Sequence, residues 1–412
     1  MGYQQGLSGL SASSNDLDVI GNNIANANTD GFKQSTAQFA DLYANTIATS
    51  VNNQIGIGTQ LAGVQQDFTQ GTFTTTGQAL NVAINGTGFY QMSNNGALTY
   101  SRNGVFQLDK NGFITNAQGL QLMGYAANAN GVINSAQTVP IQVPTTNIAP
   151  VATQSITAQL NLNSQDTTPT VTPFSSTNSQ TYNYSTSIQT YDSLGGSQQI
   201  NMYFVKTAAN SWNVYAGPAS GTISQVGTVG FSTAGALSST TATAPATTPT
   251  TGELAFQVPN SDGSGSPQTL TLNMNGTTQY GGADGVNNLN QDGYPTGELS
   301  NFSIGADGTI SGTYSNGKTQ ALGQIVLANF NNPNGLQDLG GNEYSETSAS
   351  GVPQISAPGS TNHGTLTGGA VENSNVDLTS QLVDLITAQR NYQANAQTIK
   401  TQQTVDETLI NL

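Results

Sequence analysis

The residue types that perform most enzyme chemistry are scarce in this 412-residue chain. It has no cysteine and one histidine, His363, which lies in a polar Thr-Asn-His-Gly stretch. A serine hydrolase needs a histidine base oriented by an acidic partner, and no acidic residue stands close to His363 in the sequence. We therefore interpret His363 as a solvated loop residue and predict that the chain is not an enzyme.

Two other segments have the residue types of ligand-binding loops without the required spacing. Residues 288–293 resemble the first half of a calcium loop, but the first position is Asn288, and Leu299 occupies the twelfth, where a bidentate glutamate is needed. Gly56, Gly58 and Gly63 have neither dinucleotide-binding nor phosphate-loop spacing. We interpret both segments as turns and predict no metal and no cofactor.

The distribution of charge argues against two kinds of partner. Only 7% of the residues are charged and the formal net charge is −15. The seven basic residues are scattered along the chain, so no basic patch can neutralise several phosphates, and we predict no nucleic-acid binding. No segment approaches the roughly 20 apolar residues of a membrane span, and we predict no membrane insertion. Residues 1–10 have neither a basic start nor an apolar run, which predicts that no signal peptide is cleaved.

Both ends of the chain have the periodicity of helices. Leu7, Leu10, Leu17 and Ile24 follow the three-and-four spacing of an amphipathic stripe, and residues 28–31 predict its end. A second helix is predicted over residues 375–410, which contain neither glycine nor proline. Ser374 and Asp377 have the spacing of a capping box at its start. The two helices could cap a globular core or pair with neighbouring molecules, and periodicity alone leaves both possibilities open.

The middle of the chain has the punctuation of short strands. Asn-Gly pairs at residues 95–96, 103–104 and 111–112 are separated by alternating apolar residues, which predicts hairpins. We predict an α+β, multidomain fold: long terminal α-helices form a coiled-coil-like domain, and two mainly β domains lie between them, the second inserted into the first. The predicted boundaries are 1–71 with 363–412, 72–146 with 293–362, and 147–292.

Three segments of the sequence are specific enough to indicate a family. Residues 17–33 (LDVIGNNIANANTDGFK), 80–89 (LNVAINGTGF) and 375–400 (NVDLTSQLVDLITAQRNYQANAQTIK) resemble signatures of the bacterial flagellar rod and hook family. The segments cover about a quarter of the chain and occur in the order and spacing of that family. Within this family, rod subunits are much shorter than this chain. The extra length lies in residues 147–292, and it is similar to the outer domain of a hook subunit. The chain is identified as a member of this family on these segments.

This resemblance implies a structural subunit that polymerises into a flexible tube joining the motor and rod to the filament. It also implies export through the flagellar type III apparatus without signal cleavage, and an extracellular location in the hook. The implied partners are further copies of the chain, together with rod, hook-cap and hook–filament junction proteins. A distal rod subunit and a β-rich adhesin or carbohydrate-binding protein are the alternatives.

In a polymer the functional site is an interface between subunits. The residues predicted to form it are the apolar side chains of the two terminal helices: Leu7, Leu10, Leu17, Ile20, Ile24, Leu382, Leu385, Ile386, Tyr392, Ile399 and Ile410. The same residues could instead form an ordinary intramolecular core. Asn22, Asn23 and Asn26 lie beside the stripe and could fix the register of the helices by hydrogen bonds, or could simply be solvated.

Overall fold

The computed structural model describes residues 2–42, 56–144, 146–360 and 362–410. Two long helices lie near the ends of the chain, α1 (Gly2–Ala25) and α2 (Leu378–Ile410). The first strands are β1 (Ser35–Leu42), β2 (Gly58–Gln66), β3 (Phe73–Thr75), β4 (Val82–Asn85), β5 (Phe89–Asn94), β6 (Ala97–Ser101), β7 (Gln107–Leu108), β8 (Ile114–Thr115), β9 (Gln121–Ala126) and β10 (Val139–Pro140). They are followed by β11 (Ser155–Asn161), β12 (Tyr184–Tyr191), β13 (Ser197–Ala208), β14 (Ser211–Pro218), β15 (Ser224–Phe231), β16 (Leu237–Ala242), β17 (Glu253–Val258), β18 (Gln268–Asn273) and β19 (Gly285–Gln291). The last strands are β20 (Leu299–Ile304), β21 (Thr309–Tyr314), β22 (Thr319–Ile325), β23 (Leu327–Asn329), β24 (Gln337–Gly340), β25 (Glu343–Ser345), β26 (Gln354–Ser356), β27 (Thr365–Gly368) and β28 (Ala370–Glu372).

The chain divides into two compact units. Unit 1 comprises Met1–Thr145, Asn301–Thr313 and Thr319–Leu412, and unit 2 comprises Thr146–Ser300 and Tyr314–Lys318. Helical ends and a β-rich middle confirm the predicted fold class. The finer division of unit 1 into a helical domain and a β domain stays a prediction.

Unit 1 is built on a large sheet with the central order β20-β21-β22-β9-β5-β6-β25-β24, in which several neighbouring strands are far apart in the sequence. Phe89, Tyr100, Phe330 and Tyr344 form an aromatic core there, and their rings meet edge to face at centroid distances of 4.8–5.9 Å. Edge-to-face pairs add to the stabilisation from burial. Burial raises the pKa of three tyrosine hydroxyls in this unit, here called the unit 1 tyrosines: Tyr90, Tyr100 and Tyr344.

The Asn-Gly pairs have two different structural roles. Asn95 and Gly96 both have positive φ (49° and 100°) and join β5 to β6, as a two-residue hairpin turn requires. The pair at 111–112 lies in the turn between β7 and β8. The hairpin predicted at 103–104 is wrong. A Cβ on Gly104 would clash with the carbonyl oxygen of Val82, so this glycine permits a close approach of two backbones.

Unit 2 is a sandwich of two sheets, β17-β18-β11-β19 and β12-β13-β14-β15-β16. Alternate side chains of β11, including Ile156 and Leu160, are fully buried, and they share one core with Phe204 and Trp212 of the other sheet. Lys206 is buried beside this core. Its ammonium group donates to two backbone carbonyl oxygens and lies 5.6 Å from the centre of the Trp212 ring.

The two ends of the long segment of unit 2, Thr146–Ser300, run side by side. The backbone N–H groups of Ile148 and Gly297 donate to each other's carbonyl oxygens, and those of Val151 and Tyr294 form the next antiparallel bridge. The long segment of unit 2 therefore begins and ends at neighbouring backbone positions.

Three local predictions need correction. Helix α2 begins at Leu378, and its cap is Asp377, whose carboxylate accepts from the backbone N–H of Thr379 at 2.9 Å. The capping box starting at Ser374 is therefore wrong. Residues 288–291 lie in β19, so the calcium-loop-like segment is largely strand rather than turn. Gly58 and Gly63 likewise belong to β2 and not to a turn.

Candidate functional site

The two ends of the chain form an antiparallel helical pair within unit 1. Ile399 in the second half of α2 lies against Gly6 near the start of α1, and Asn395 lies against Gly9. A Cβ at Gly6 would come within 2.9 Å of Ile399 Cγ1, and one at Gly9 within 2.7 Å of the Asn395 side chain. These two glycines allow the helices to approach closely, although glycine costs about 1 kcal/mol in a helix interior.

A two-stranded hairpin, β1 with β2, packs along α1. The Gln5 side-chain amide donates to the carbonyl oxygen of Gly56 at 2.6 Å, and the backbone N–H of Thr59 donates to Ser8 Oγ at 3.3 Å. Gly58 has a φ of +138°, and a Cβ there would clash with Ser8. An isolated hairpin is only marginally stable in water, so its position depends on these contacts with the helix.

One buried asparagine joins all three parts of this assembly. Asn23 on α1 is 2% exposed. Its Nδ2 donates to the carbonyl oxygen of Ser35 at 2.8 Å and to Gln381 Oε1 at 3.1 Å, and its Oδ1 accepts from the Ser35 N–H at 2.9 Å. Asn23 therefore links α1, β1 and α2 as a register-fixing residue would, whereas the Asn26 side chain bonds, among the residues that the structure describes, only to Asn22 and Thr29.

A buried cluster of three charged residues lies where both ends of the chain meet the sheets of unit 1. Glu372, at the end of β28, pairs with Lys33 at 2.7 Å and with Arg102 at 3.1 Å. The three residues are 1–4% exposed. We call them the charge triad. Lys33 belongs to the segment after α1, and Glu372 to the segment before α2, so the triad joins the connections to both helices.

Every member of the charge triad has further hydrogen-bond partners. Lys33 Nζ donates to the Thr69 carbonyl oxygen at 2.7 Å, and Arg102 Nη1 donates to the carbonyl oxygens of Gly86 and Gly88. Burial lowers the pKa of Lys33, and the charge of Arg102 lowers it further against the opposing effect of Glu372. The triad holds two cations and one anion, so Glu372 is the residue that makes their burial tolerable.

The predicted interface residues fall into two groups. Leu10, Leu17, Ile24, Leu385 and Ile399 are half-buried and Ile20 is buried. The remaining five are substantially exposed: Leu7 (51%), Leu382 (46%), Ile386 (50%), Tyr392 (38%) and Ile410 (83%). The first group packs within the chain, and the second is accessible to another molecule. Their role in an interface stays a prediction.

The structure also identifies relevant residues that the sequence reasoning missed. Leu378, Val383 and Val405 on α2 are 45–58% exposed, and they extend the accessible apolar surface beyond the predicted stripe. Ala388 is 2% exposed and marks the face of α2 that packs inward. Leu378 stands one heptad before Leu385, whereas Val383 and Val405 share no heptad with the predicted residues, and only the position of α1 reveals which face is covered.

The remaining sequence candidates make no catalytic arrangement. The Nε2 atom of His363 lies 2.8 Å from the carbonyl oxygen of Gln354, in the loop before β27. Across the described ranges, no three His, Cys, Asp or Glu side chains converge as metal ligands would. No helix among those residues has the length and hydropathy of a membrane span.

The sequence matches flagellar families along most of its length. Residues 4–33 match the flagella basal body rod protein family, and 83–161 match the flagellar hook protein FlgE/F/G D1 domain. Residues 161–294 match the flagellar basal body protein FlaE D2 domain, and 367–412 match the flagellar basal body rod FlgEFG protein C-terminal region. The flagellar hook protein FlgE of Escherichia coli (strain K12) is 44% identical over 420 residues, which cover 100% of both chains. The chain belongs to the flagellar hook protein FlgE family.

Other relatives agree with this family assignment. The FlgE hook protein of Salmonella typhimurium is 43% identical over all of both chains, and that of Treponema pallidum is 32% identical over 99% of this chain and 98% of its own. The crystal structure of the Helicobacter pylori flagellar hook protein FlgE2 covers 71% of this chain and 98% of its own, with a TM-score of 0.50 at 14% identity. That structural likeness concerns the fold alone. The hook family match over the full length distinguishes this chain from a shorter rod subunit.

Proposed function

We propose that this hook-family chain polymerises through its terminal helices into a flexible tube that couples the flagellar motor and rod to the filament. The observation that carries the proposal is the accessible apolar surface on α2, where Leu382, Val383 and Ile386 are 46–58% exposed beside an otherwise polar chain. Exposed apolar side chains that cluster on one element are typical of protein interfaces. Full-length similarity to hook proteins supports the same conclusion.

The proposal includes the partners and the location expected of such a subunit. Further copies of the chain form the tube, and rod, hook-cap and hook–filament junction proteins contact its ends. The subunit reaches its extracellular position in the hook through the flagellar type III export apparatus, without signal cleavage. Its role is mechanical and involves no catalysis. The family relationship and the terminal segments 17–33 and 375–400 support this set of partners.

Electron microscopy of the purified protein in a precipitant salt tests the proposal, because such salts favour apolar burial. The wild-type chain is expected to form hollow tubes. Val383→Asp with Ile386→Asp should prevent them, since the charges would be placed on the exposed surface of α2. Val132→Asp with Val352→Asp is the matched control, because it adds the same two charges at side chains that are 60% and 78% exposed on the β part of unit 1. Folded wild-type protein that forms no tubes would instead favour a monomeric binding protein capped by its helices.

A further inference from the structure

An open groove beside the helical pair carries two carboxylates. It has a volume of about 290 Å³, and it is lined by α1, β1 and α2. Asp16 on α1 and Asp384 on α2 both line it, together with the apolar side chains of Val19, Ile20 and Ala37. Burial raises the pKa of Asp16, and the negative charge of Asp384 raises it further. The two carboxylates therefore repel each other in the isolated chain.

The elements that form the groove supply almost no positive charge. Helix α1 and strands β1 and β2 contain no lysine or arginine, whereas α1 also contains Asp18. The two cations of α2 are Arg390 and Lys400, and neither lines the groove. Within the described part of the chain, Arg390 is exposed and takes part in no salt bridge. The groove is thus left without a cation from its own surroundings.

Arg390 projects away from the groove, because it lies about 120° around α2 from Asp384. At 3.6 residues per turn, it lies about 160° around the helix from Ala388, whose side chain faces the groove. Ile386 is one turn before Arg390 and Val383 is about one turn before Ile386, so the three residues lie on one face. Ile386 and Val383 are 50% and 58% exposed. This outer face combines apolar side chains with a positive charge.

We propose that Arg390 of one copy inserts between Asp16 and Asp384 in the groove of the next copy, with Ile386 and Val383 packing on the apolar lining. The two surfaces are complementary in charge: the groove has two carboxylates and no cation, the outer face has Arg390, and both have apolar side chains around the charge. This inference rests on the proposed function and names the contact that the polymer uses.

The geometry of this contact accounts for the type of polymer. The two surfaces lie on different sides of α2 and Arg390 does not line the groove, so one chain does not fill its own groove with its own Arg390. A contact between two different surfaces is heterologous, and it leaves a free groove at one end and a free outer face at the other. Repetition of such a contact excludes a closed two-fold dimer and produces an open helical assembly when the rotation between copies does not close into a ring.

Charge exchange within the full-length chain tests the contact. Arg390→Glu should raise the critical concentration for tube formation at least about tenfold, since it places like charges opposite one another. Asp384→Arg should do the same. The triple variant, Asp16→Arg and Asp384→Arg with Arg390→Glu, reverses the charge on both surfaces and should assemble within about threefold of the wild-type concentration. Lys400→Glu changes the net charge as much as Arg390→Glu does, and it should leave the critical concentration unchanged within about twofold.

Each outcome separates the contact from the function on which it rests. Circular dichroism of each monomer first shows that its helices are intact. Arg390→Glu tubes that form at the wild-type concentration would overturn the contact while leaving the hook proposal in place. A triple variant no better than Arg390→Glu alone, or a Lys400→Glu variant as impaired as Arg390→Glu, would overturn it too. Failure of the folded wild-type chain to form tubes would instead count against the proposed function.

Discussion

Replacing Glu372 by glutamine should destabilise unit 1 and leave unit 2 unaffected. The substitution keeps the shape of the side chain but leaves Lys33 and Arg102 buried, 1–4% exposed, with no counter-charge in direct contact. Removing one partner of a buried ion pair costs about 3–5 kcal/mol. With a urea dependence of about 2–3 kcal/mol per molar, the midpoint for unfolding of unit 1 should fall by about 1–2.5 M.

Two probes separate the units in a single experiment. Trp212 is the only tryptophan and is buried in unit 2, so its fluorescence follows the unfolding of that unit. Pulsed hydrogen exchange followed by mass spectrometry, over peptides from β4 and β27, follows unit 1 at the same urea concentrations. Glu372→Gln should shift only the hydrogen-exchange transition. Lys206→Met removes the buried cation beside Trp212 and should shift only the fluorescence transition.

The strictest check compares how much stability unit 1 loses in two variants, Lys33→Met and Glu372→Gln. Lys33→Met leaves Glu372 paired with Arg102 and removes the repulsion between two buried cations. The Thr69 carbonyl oxygen, which loses Lys33 as a donor, still accepts from Asn375 Nδ2 at 3.2 Å. Lys33→Met should therefore cost less than Glu372→Gln. The reverse order, or a midpoint for Glu372→Gln within about 0.3 M of wild type, would refute the role assigned to Glu372.

Three further predictions concern the helical pair and the sheets of unit 1. Asn23→Ala should lower the free energy of unfolding by about 2–3 kcal/mol, because three hydrogen bonds joining α1, β1 and α2 are lost. Hydrogen exchange in α1 measures this loss, and the control Asn26→Ala should cost under about 0.5 kcal/mol. Gly21→Ala should stabilise α1 by about 1 kcal/mol, since no neighbouring atom lies within 4 Å of the added Cβ, whereas Gly6→Ala should destabilise the helical pair because Ile399 obstructs the added Cβ. Helix unfolding followed by circular dichroism measures both changes in stability, and the same sign for both variants would contradict the packing. The unit 1 tyrosines have raised pKa values, so the unfolded state loses their protons first and stability should fall as the pH rises above about 10, by up to about 4 kcal/mol at pH 11. The lowered pKa of Lys33 acts in the opposite sense up to about pH 10.4, and a urea midpoint that rises from pH 10 to 11 would exclude the tyrosine effect.

The sequence predicted elements best where local chemistry determines the backbone. The Asn95–Gly96 hairpin follows from the positive φ that this dipeptide tolerates, and the terminal helices follow from their apolar periodicity. Asn103–Gly104 has the same letters and a different role. Gly104 is needed because the Val82 backbone approaches it closely, and this approach is not visible in the local sequence pattern.

The candidate site was only partly predictable for the same reason. Periodicity identifies the apolar residues of α2, but it does not say which of them α1 covers. Ile399 packs against Gly6 of α1, whereas the side chain of Ile386 is 50% exposed, and both residues fit the periodicity of a helix. The charge triad unites residues 339 positions apart along the chain, from Lys33 to Glu372. In a sequence with so few charges, the available signal was that each of these residues stands apart from an opposite charge along the chain. If such a residue is buried, it needs a buried partner from elsewhere in the sequence.

The side-by-side ends of the long segment of unit 2, Thr146–Ser300, make that segment an exchangeable part. Because Ile148 and Gly297 exchange both backbone hydrogen bonds of an antiparallel pair, their Cα atoms are about 5.5 Å apart. A foreign domain whose own termini have this spacing could be grafted between these two positions without lengthening or shortening either connection. Natural variation in the size of this insertion, and the display of an epitope or an enzyme in its place, would thus alter what each subunit carries while keeping the same two attachment points.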